Sequence, residues 1–243
     1  GLSTATAMIR NGIVGNALVI GAELISPFMD WTNRNVAVLF GDGAAAVVLQ
    51  ATDQEEGVLA EKLGCYGESR DILAVHGMGG RYANLGKLYG ECAWQFDGPE
   101  VFKRAVLGMS HACEDVLAKR QVAPADIELV IPHQANLRII EAVAKKAHIP
   151  MERVFVNVQR YGNMSSATVP VALCEALEEG KIRPGALLLL TGFGGGLTWC
   201  AHLVRWGSRV QPLGECSVEL PPNDKTALQL IQEVMKRKTT YVA

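Results

Sequence analysis

Three short stretches carry residues able to manage charge on an oxygen atom: Ile131-Pro-His-Gln-Ala-Asn136, Arg160-Tyr-Gly-Asn-Met-Ser-Ser166 and Gly192-Phe-Gly-Gly-Gly196. His133 and Asn163 both offer N–H donors. Two donors aimed at one oxygen stabilise an enolate or a tetrahedral oxyanion. The glycines at 194–196 expose backbone N–H groups that no side chain shields, which makes a second oxyanion site. Such a set suits thioester chemistry, in which a nucleophile takes up an acyl group and a carbanion then attacks it. Six cysteines, at 65, 92, 113, 174, 200 and 216, are the candidate nucleophiles. Cys113 and Cys174 fall on helix stripes and Cys200 inside a strand, which are core positions. Cys65 and Cys92 lie in an irregular stretch and stay open as candidates. Taken singly, His133 reads as a polar group at a strand end, Asn163 as a turn or cap residue and the glycines as a tight connection. The argument for function is their joint placement.

That placement follows from the elements around them. Strands are predicted over 127–131, 154–158, 185–191 and 197–206, and helices from Pro99 to Leu117, Asn136 to His148 and Ser165 to Glu179. The alternation predicts an α/β layered fold with a largely parallel sheet. Ligands gather where strands end and loops lead into helices, so His133, Asn163 and the glycines are expected at one edge of the sheet. Upstream, the apolar runs 16–21 and 44–50 read as strands buried on both faces, with 57–62 pairing to the second. Residues 64–98 read as a long irregular excursion. Residues 1–10 read as the interior of a small-residue helix stopped by Asn11-Gly12, as though the chain began in mid-domain. Three parts are expected: 1–98, 99–206, and a 207–243 appendage. In the last, Pro212, Gly214, Pro221 and Pro222 mark a linker and Asn223 caps a helix carrying Leu228, Ile231, Val234 and Met235.

Composition bounds the function. At 243 residues, 49% hydrophobic and 20% charged, the chain is long and apolar enough for a real core. Twenty-three basic against 25 acidic residues give a formal charge of -2, so nothing in bulk favours nucleic acid. There is no CxxC pair, and no His or Cys lies at metal-ligand spacing, so free thiols and no metal are expected. The longest apolar runs, such as 186–190, are too short for a bilayer, and no charged-then-apolar leader is visible.

Val130-Ile-Pro-His-Gln-Ala-Asn-Leu-Arg138, Tyr161-Gly-Asn-Met-Ser-Ser-Ala167 and Phe193-Gly-Gly-Gly-Leu-Thr-Trp199 closely resemble the signature blocks of 3-oxoacyl-[acyl-carrier-protein] synthase III, a thiolase-fold condensing enzyme. Phe40-Gly-Asp-Gly-Ala44 and Phe96-Asp-Gly-Pro-Glu-Val-Phe102 fit as well, and the likeness runs from residue 1 to about Trp206. The resemblance implies a thiolase-like αβαβα fold, here N-terminally truncated. It implies a Cys-His-Asn set that condenses an acyl-CoA primer with malonyl-acyl carrier protein, initiating fatty-acid synthesis. His133 and Asn163 would be catalytic and Gly195 would supply an oxyanion-hole N–H. Phe193 would shape the substrate pocket, and Asn136 would lie near the pantetheine arm. Arg34 would contact CoA, and Arg138, Lys145 and Lys146 would attract the carrier protein. A cytoplasmic homodimer is implied, with no cofactor beyond the acyl-CoA substrate and no nucleic-acid or membrane partner. Two departures stand out. Gly1 matches a position just beyond the family's Cys, so the acyl acceptor is not displayed, and Met164 stands where Thr is commoner. Two other readings remain: an acyltransferase of secondary metabolism with a small-molecule acceptor, and a non-catalytic chain paired with a separate Cys-bearing chain.

Overall fold

The computed structural model describes residues 1–76, 93–214, 216–219 and 221–240. Eight strands are found among them: β1 (Asn16–Glu23), β2 (Gly43–Gln50), β3 (Gly57–Cys65), β4 (Leu73–His76), β5 (Ala93–Phe96), β6 (Leu129–Pro132), β7 (Leu187–Gly194) and β8 (Thr198–Arg205). The helices are α1 (Leu2–Arg10), α2 (Arg34–Ala37), α3 (Gly98–Arg120), α4 (Leu137–Lys146), α5 (Val158–Tyr161), α6 (Thr168–Glu178) and α7 (Ala227–Thr240).

The central sheet has the order β3-β8-β7-β6. β6 and the first half of β7 are apolar on both sides because both faces are covered. Leu187 and Leu189 of β7 point one way, onto Ala112, Val116, Ile140 and Ala144 of α3 and α4. Leu188 and Leu190 point the other way, onto Ala172, Leu173 and Ala176 of α6. Each buried leucine contributes roughly 2 kcal/mol of transfer free energy. Beyond α6 and α1 lies the antiparallel ribbon β1–β2, in full register from Asn16↔Gln50 to Glu23↔Gly43. The layer order is therefore helices, sheet, helices, ribbon.

Several expectations need correction. The sheet is mixed: β6 and β7 are parallel, but β7–β8 and β3–β8 are antiparallel. The glycine cluster makes β7 and β8 a hairpin, so the chain reverses there without a helical crossover. β3 pairs with β8 and not with 44–50. The 154–158 run is not a strand: a single parallel bridge joins Val154 to Val130 before the chain turns into α5. β1 and β2 are not buried on both faces. Leu18, Ile20 and Val48 share an outer face and are 61%, 62% and 74% exposed. The irregular excursion holds two short paired strands, β4 and β5, and its residues 77–92 lie outside the described ones.

The remaining elements follow their local signals. α1 ends at Asn11, with Gly12 at φ 67°. Asp97 caps α3 by accepting from the Glu100 N–H, with Pro99 in the first turn. α7 begins four residues after Asn223. Thr226 is its cap, its hydroxyl accepting from the Gln229 N–H, because Asn223 is occupied with the Lys225 N–H. α7 touches the body at the turn Ser26–Phe28. Leu228 and Met235 of its apolar face stay exposed, while Ile231 and Val234 are half-buried.

Candidate active site

β6 delivers His133. Register pairs Pro132 with Thr191, and the His133 N–H carries the ladder one residue further by donating to the Thr191 carbonyl at 2.7 Å. Gln134 fixes the turn that follows. Fully buried, it donates to the carbonyls of Pro132 (2.9 Å) and Phe155 (3.1 Å) and accepts from the N–H groups of Asn157 (3.0 Å) and Val158 (3.1 Å). All four hydrogen-bonding positions of its amide are used. Sequence reasoning passed over Gln134. The signal was a polar amide beside His133 in a run otherwise set for burial.

The Phe40-Gly-Asp-Gly43 block delivers Asn163. Its backbone N–H donates to the Leu39 carbonyl (2.7 Å), and its own carbonyl accepts from the Gly41 N–H (3.0 Å). A Cβ at Gly41 would overlap the Tyr161 carbonyl oxygen, and one at Gly43 would overlap the Met164 sulfur. Only glycine lets the two segments approach so closely. Met164 is buried here behind the site, not in the cavity wall. The Asn163 Oδ1 accepts from the Ser165 N–H at 2.8 Å, which turns the Nδ2 donors outward. Ser165 itself sits at φ 48°, a left-handed conformation of the kind stored at functional sites.

His133, Asn136, Asn163, Phe193 and Gly195 line one cavity of about 440 Å³. Leu24, Ile25, Phe28, Leu39, Val75 and Ile139 supply apolar wall. The His133 ring is buried, and burial pushes its pKa down to about 4, so the imidazole is neutral near pH 7. Asn136 also caps α4, accepting from the Ile139 N–H at 3.0 Å, so its side-chain oxygen is committed, while its NH2 has no hydrogen-bond partner among the described residues. Gly195 is exposed with open space around its α-carbon.

The other basic candidates do not line this cavity. Arg34 opens the short helix α2 and is exposed. Arg138, Lys145 and Lys146 form an exposed group on α4, with both lysines in its last turn, where cations complement the helix dipole. No cysteine among the described residues lines the cavity. Cys113 is fully enclosed in the core under α3, where burial pushes its thiol up to about 12. Burial also raises Cys174 and Cys200. Cys65 and Cys216 are exposed elsewhere, and Cys92 lies outside the described residues.

The layered α/β fold is of the thiolase-like class. A profile described as 3-oxoacyl-[acyl-carrier-protein (ACP)] synthase III matches residues 1–67, and its C-terminal counterpart matches 117–206. Beta-ketoacyl-[acyl-carrier-protein] synthase III 2 of Vibrio cholerae is 49% identical over 236 residues, covering 97% of this chain and 65% of that protein. The synthase III of Roseiflexus sp. is 47% identical over 208 residues, covering 85% and 63%. Among solved structures, the synthase III of Aquifex aeolicus superposes with TM-score 0.76 at 44% identity, covering 84% of this chain and 62% of that one. That of Pseudomonas aeruginosa gives 0.79 at 37% identity, covering 87% and 64%.

The chain belongs to the 3-oxoacyl-[acyl-carrier-protein] synthase III family, and it spans 62–65% of the length of these relatives. The likeness was expected to stop near Trp206. The Vibrio cholerae match covers 97% of the chain and so runs into the tail.

Proposed function

We propose that this chain carries the decarboxylation half of a β-ketoacyl-acyl carrier protein synthase III. The carrying observation is that His133, at the end of β6, and Asn163, in the turn after α5, line the same mostly apolar cavity. A malonyl thioester entering there would set its carbonyl oxygen against the Asn163 Nδ2 donors and the His133 ring. Charge on that oxygen rises as carbon dioxide leaves, so a donor fixed in a mostly apolar site lowers the barrier. Phe193 and the aliphatic wall would exclude water from the enolate. Gly195, with a clear approach to its backbone, would stabilise the oxyanion formed when the enolate attacks an acyl-cysteine.

Acyl-CoA and malonyl-acyl carrier protein are the proposed substrates. Arg34 would take the CoA side, and Arg138, Lys145 and Lys146 a carrier protein at the rim. A homodimer in the cytoplasm is part of the same proposal. Among the described residues no helix is long and apolar enough to cross a membrane.

None of the described cysteines reaches the cavity, so the acyl acceptor is not among them. The purified chain, given acyl-CoA and malonyl-acyl carrier protein, is therefore expected to release carbon dioxide, the enolate taking a proton from water to leave acetyl-acyl carrier protein, and to make no 3-oxoacyl product. Product formed by the chain alone would show that one of its own cysteines serves. Swapping in a small-molecule acceptor tests the secondary-metabolism reading: faster acyl transfer without decarboxylation would favour it. The priming β-ketosynthase of the R1128 polyketide pathway superposes with TM-score 0.77, but at 30% identity it is more distant than the Vibrio and Aquifex proteins.

A further inference from the structure

The Phe40-Gly-Asp-Gly43 block gives its backbone to Asn163, but its one charged side chain has no part in the reading so far. Asp42 is exposed, yet three donors of a single turn converge on its carboxylate. Oδ1 accepts from the N–H groups of Ile25 (2.7 Å) and Ser26 (2.8 Å), and Oδ2 accepts from the Ser26 hydroxyl. That turn opens the stretch 25–40, which has a small core of its own. Ile25, Met29, Val36 and Ala37 are buried together, with Trp31 and Phe40 packed against them. Hydrogen bonds from the Phe28 N–H to the Ile25 carbonyl (2.9 Å) and from the Trp31 indole to the Ser26 carbonyl (3.0 Å) stay inside the stretch. Asp42, one residue before β2, ties the start of the stretch to that strand. Ile25, Phe28, Leu39 and Phe40 line the cavity that holds His133 and Asn163.

We propose that Asp42 is a positioning residue that sets the apolar cavity wall carried by Ile25 and Phe28 at a fixed place relative to the Asn163 amide. Residues 39–43 hold both sides at once. The Leu39 carbonyl and the Gly41 N–H bond the backbone of Asn163. The carboxylate of the next residue bonds the turn that carries the wall. Wall and amide therefore share one point of reference, although residues 25 and 163 lie far apart in the chain. An ionised acceptor facing two N–H groups and a hydroxyl makes this tie stronger than one between neutral partners. The two ties have different consequences for the reaction. The backbone tie places a donor that meets charge developing on the thioester oxygen, so its loss falls on the chemical step. The carboxylate tie places apolar surface, which touches the substrate equally before and during the reaction. Its loss falls on binding.

This inference rests on the cavity being the active site, but one arm of its test needs no substrate. The Trp31 indole N–H is bonded to the turn through the Ser26 carbonyl, so its exchange with solvent reports how firmly the turn is held. In 15N-labelled protein its signal is assigned by its loss in Trp31→Phe. Asp42→Ala is expected to speed that exchange about fivefold or more. Asp42→Asn is expected to stay within about twofold of the wild type, because the amide oxygen still accepts from both N–H groups and its NH2 can donate to the Ser26 hydroxyl. In carbon dioxide release from malonyl-acyl carrier protein, Asp42→Ala should raise KM about fivefold or more with kcat within about twofold, and Asp42→Asn should restore KM. Unchanged indole exchange in Asp42→Ala, or a loss in kcat with KM unchanged, overturns the proposal. Should Asp42→Ala fail to fold, Ser26→Ala removes the hydroxyl bond alone and should speed exchange about threefold; no change there overturns the proposal equally. A wild type that releases no carbon dioxide would count against the proposed reaction and leave the exchange comparison unaffected.

Discussion

Gln134 and His133 are neighbours in sequence with opposite tasks. Gln134 uses its whole amide on the backbone of 132 and 155–158, and so fixes the turn that aims His133. Gln134→Ala would leave two carbonyls and two N–H groups unpaired in a dry interior. A loss of about 3 kcal/mol or more in urea unfolding is expected. Gln134→Glu would place acceptors against the Pro132 and Phe155 carbonyls and should cost at least as much. His133 makes stability depend on pH. Its pKa is about 4 folded against 6.5 for the free side chain. Below pH 6.5 the unfolded chain binds a proton that the folded one refuses, so stability is full above that pH and declines as pH falls toward 4. The difference of about 2.5 pH units corresponds to roughly 3 kcal/mol. Comparing unfolding at pH 7.5 and 4.5 should show this slope, and His133→Gln should reduce it. His202, whose pKa burial also lowers, keeps a share of the slope in that variant.

At the scale of elements, the site is an agreement between segments far apart in the chain. Asn163 is placed by residues 39 to 43, more than a hundred residues earlier, through two backbone hydrogen bonds that glycine alone permits. Gly41→Ala should therefore disturb the site as well as the fold. A loss of roughly 2–4 kcal/mol is expected, together with loss of carbon dioxide release, although residue 41 carries no chemistry. Gly12→Ala, in a left-handed turn with open space around it, should cost only about 1 kcal/mol and spare activity. The strand-end position of His133 and the turn at the glycines were legible because apolar runs and turn residues are local signals, whereas Asn163 follows the short helix α5 and not a strand. Local signals could not show what depends on distant partners. The 154–158 run has strand composition, yet Gln134 captures its end and only one bridge forms. The 57–62 strand has β8 as its partner, which no local pattern encodes. Gln134 looks ordinary in sequence; its role appears only when the buried hydrogen bonds are counted.

For the molecule as a whole, the exposed outer face of the β1–β2 ribbon matters most. Leu18, Ile20 and Val48 stand together there without cover among the described residues. Contiguous apolar surface of this kind promotes association. The purified chain is expected to self-associate at micromolar concentration by light scattering, and the Leu18→Lys, Val48→Lys double variant should stay dispersed without altering carbon dioxide release. At the same scale, two loops at one sheet edge meet in a single cavity, and on that meeting the function depends. Carbon dioxide release from malonyl-acyl carrier protein, measured in His133→Ala, Asn163→Ala and the double variant, tests it most directly. If both side chains act on one thioester, each single variant loses about a hundredfold or more, and the double variant falls little further than the worse single one. Unchanged release in either single variant, or two losses that multiply as for independent sites, would contradict the account.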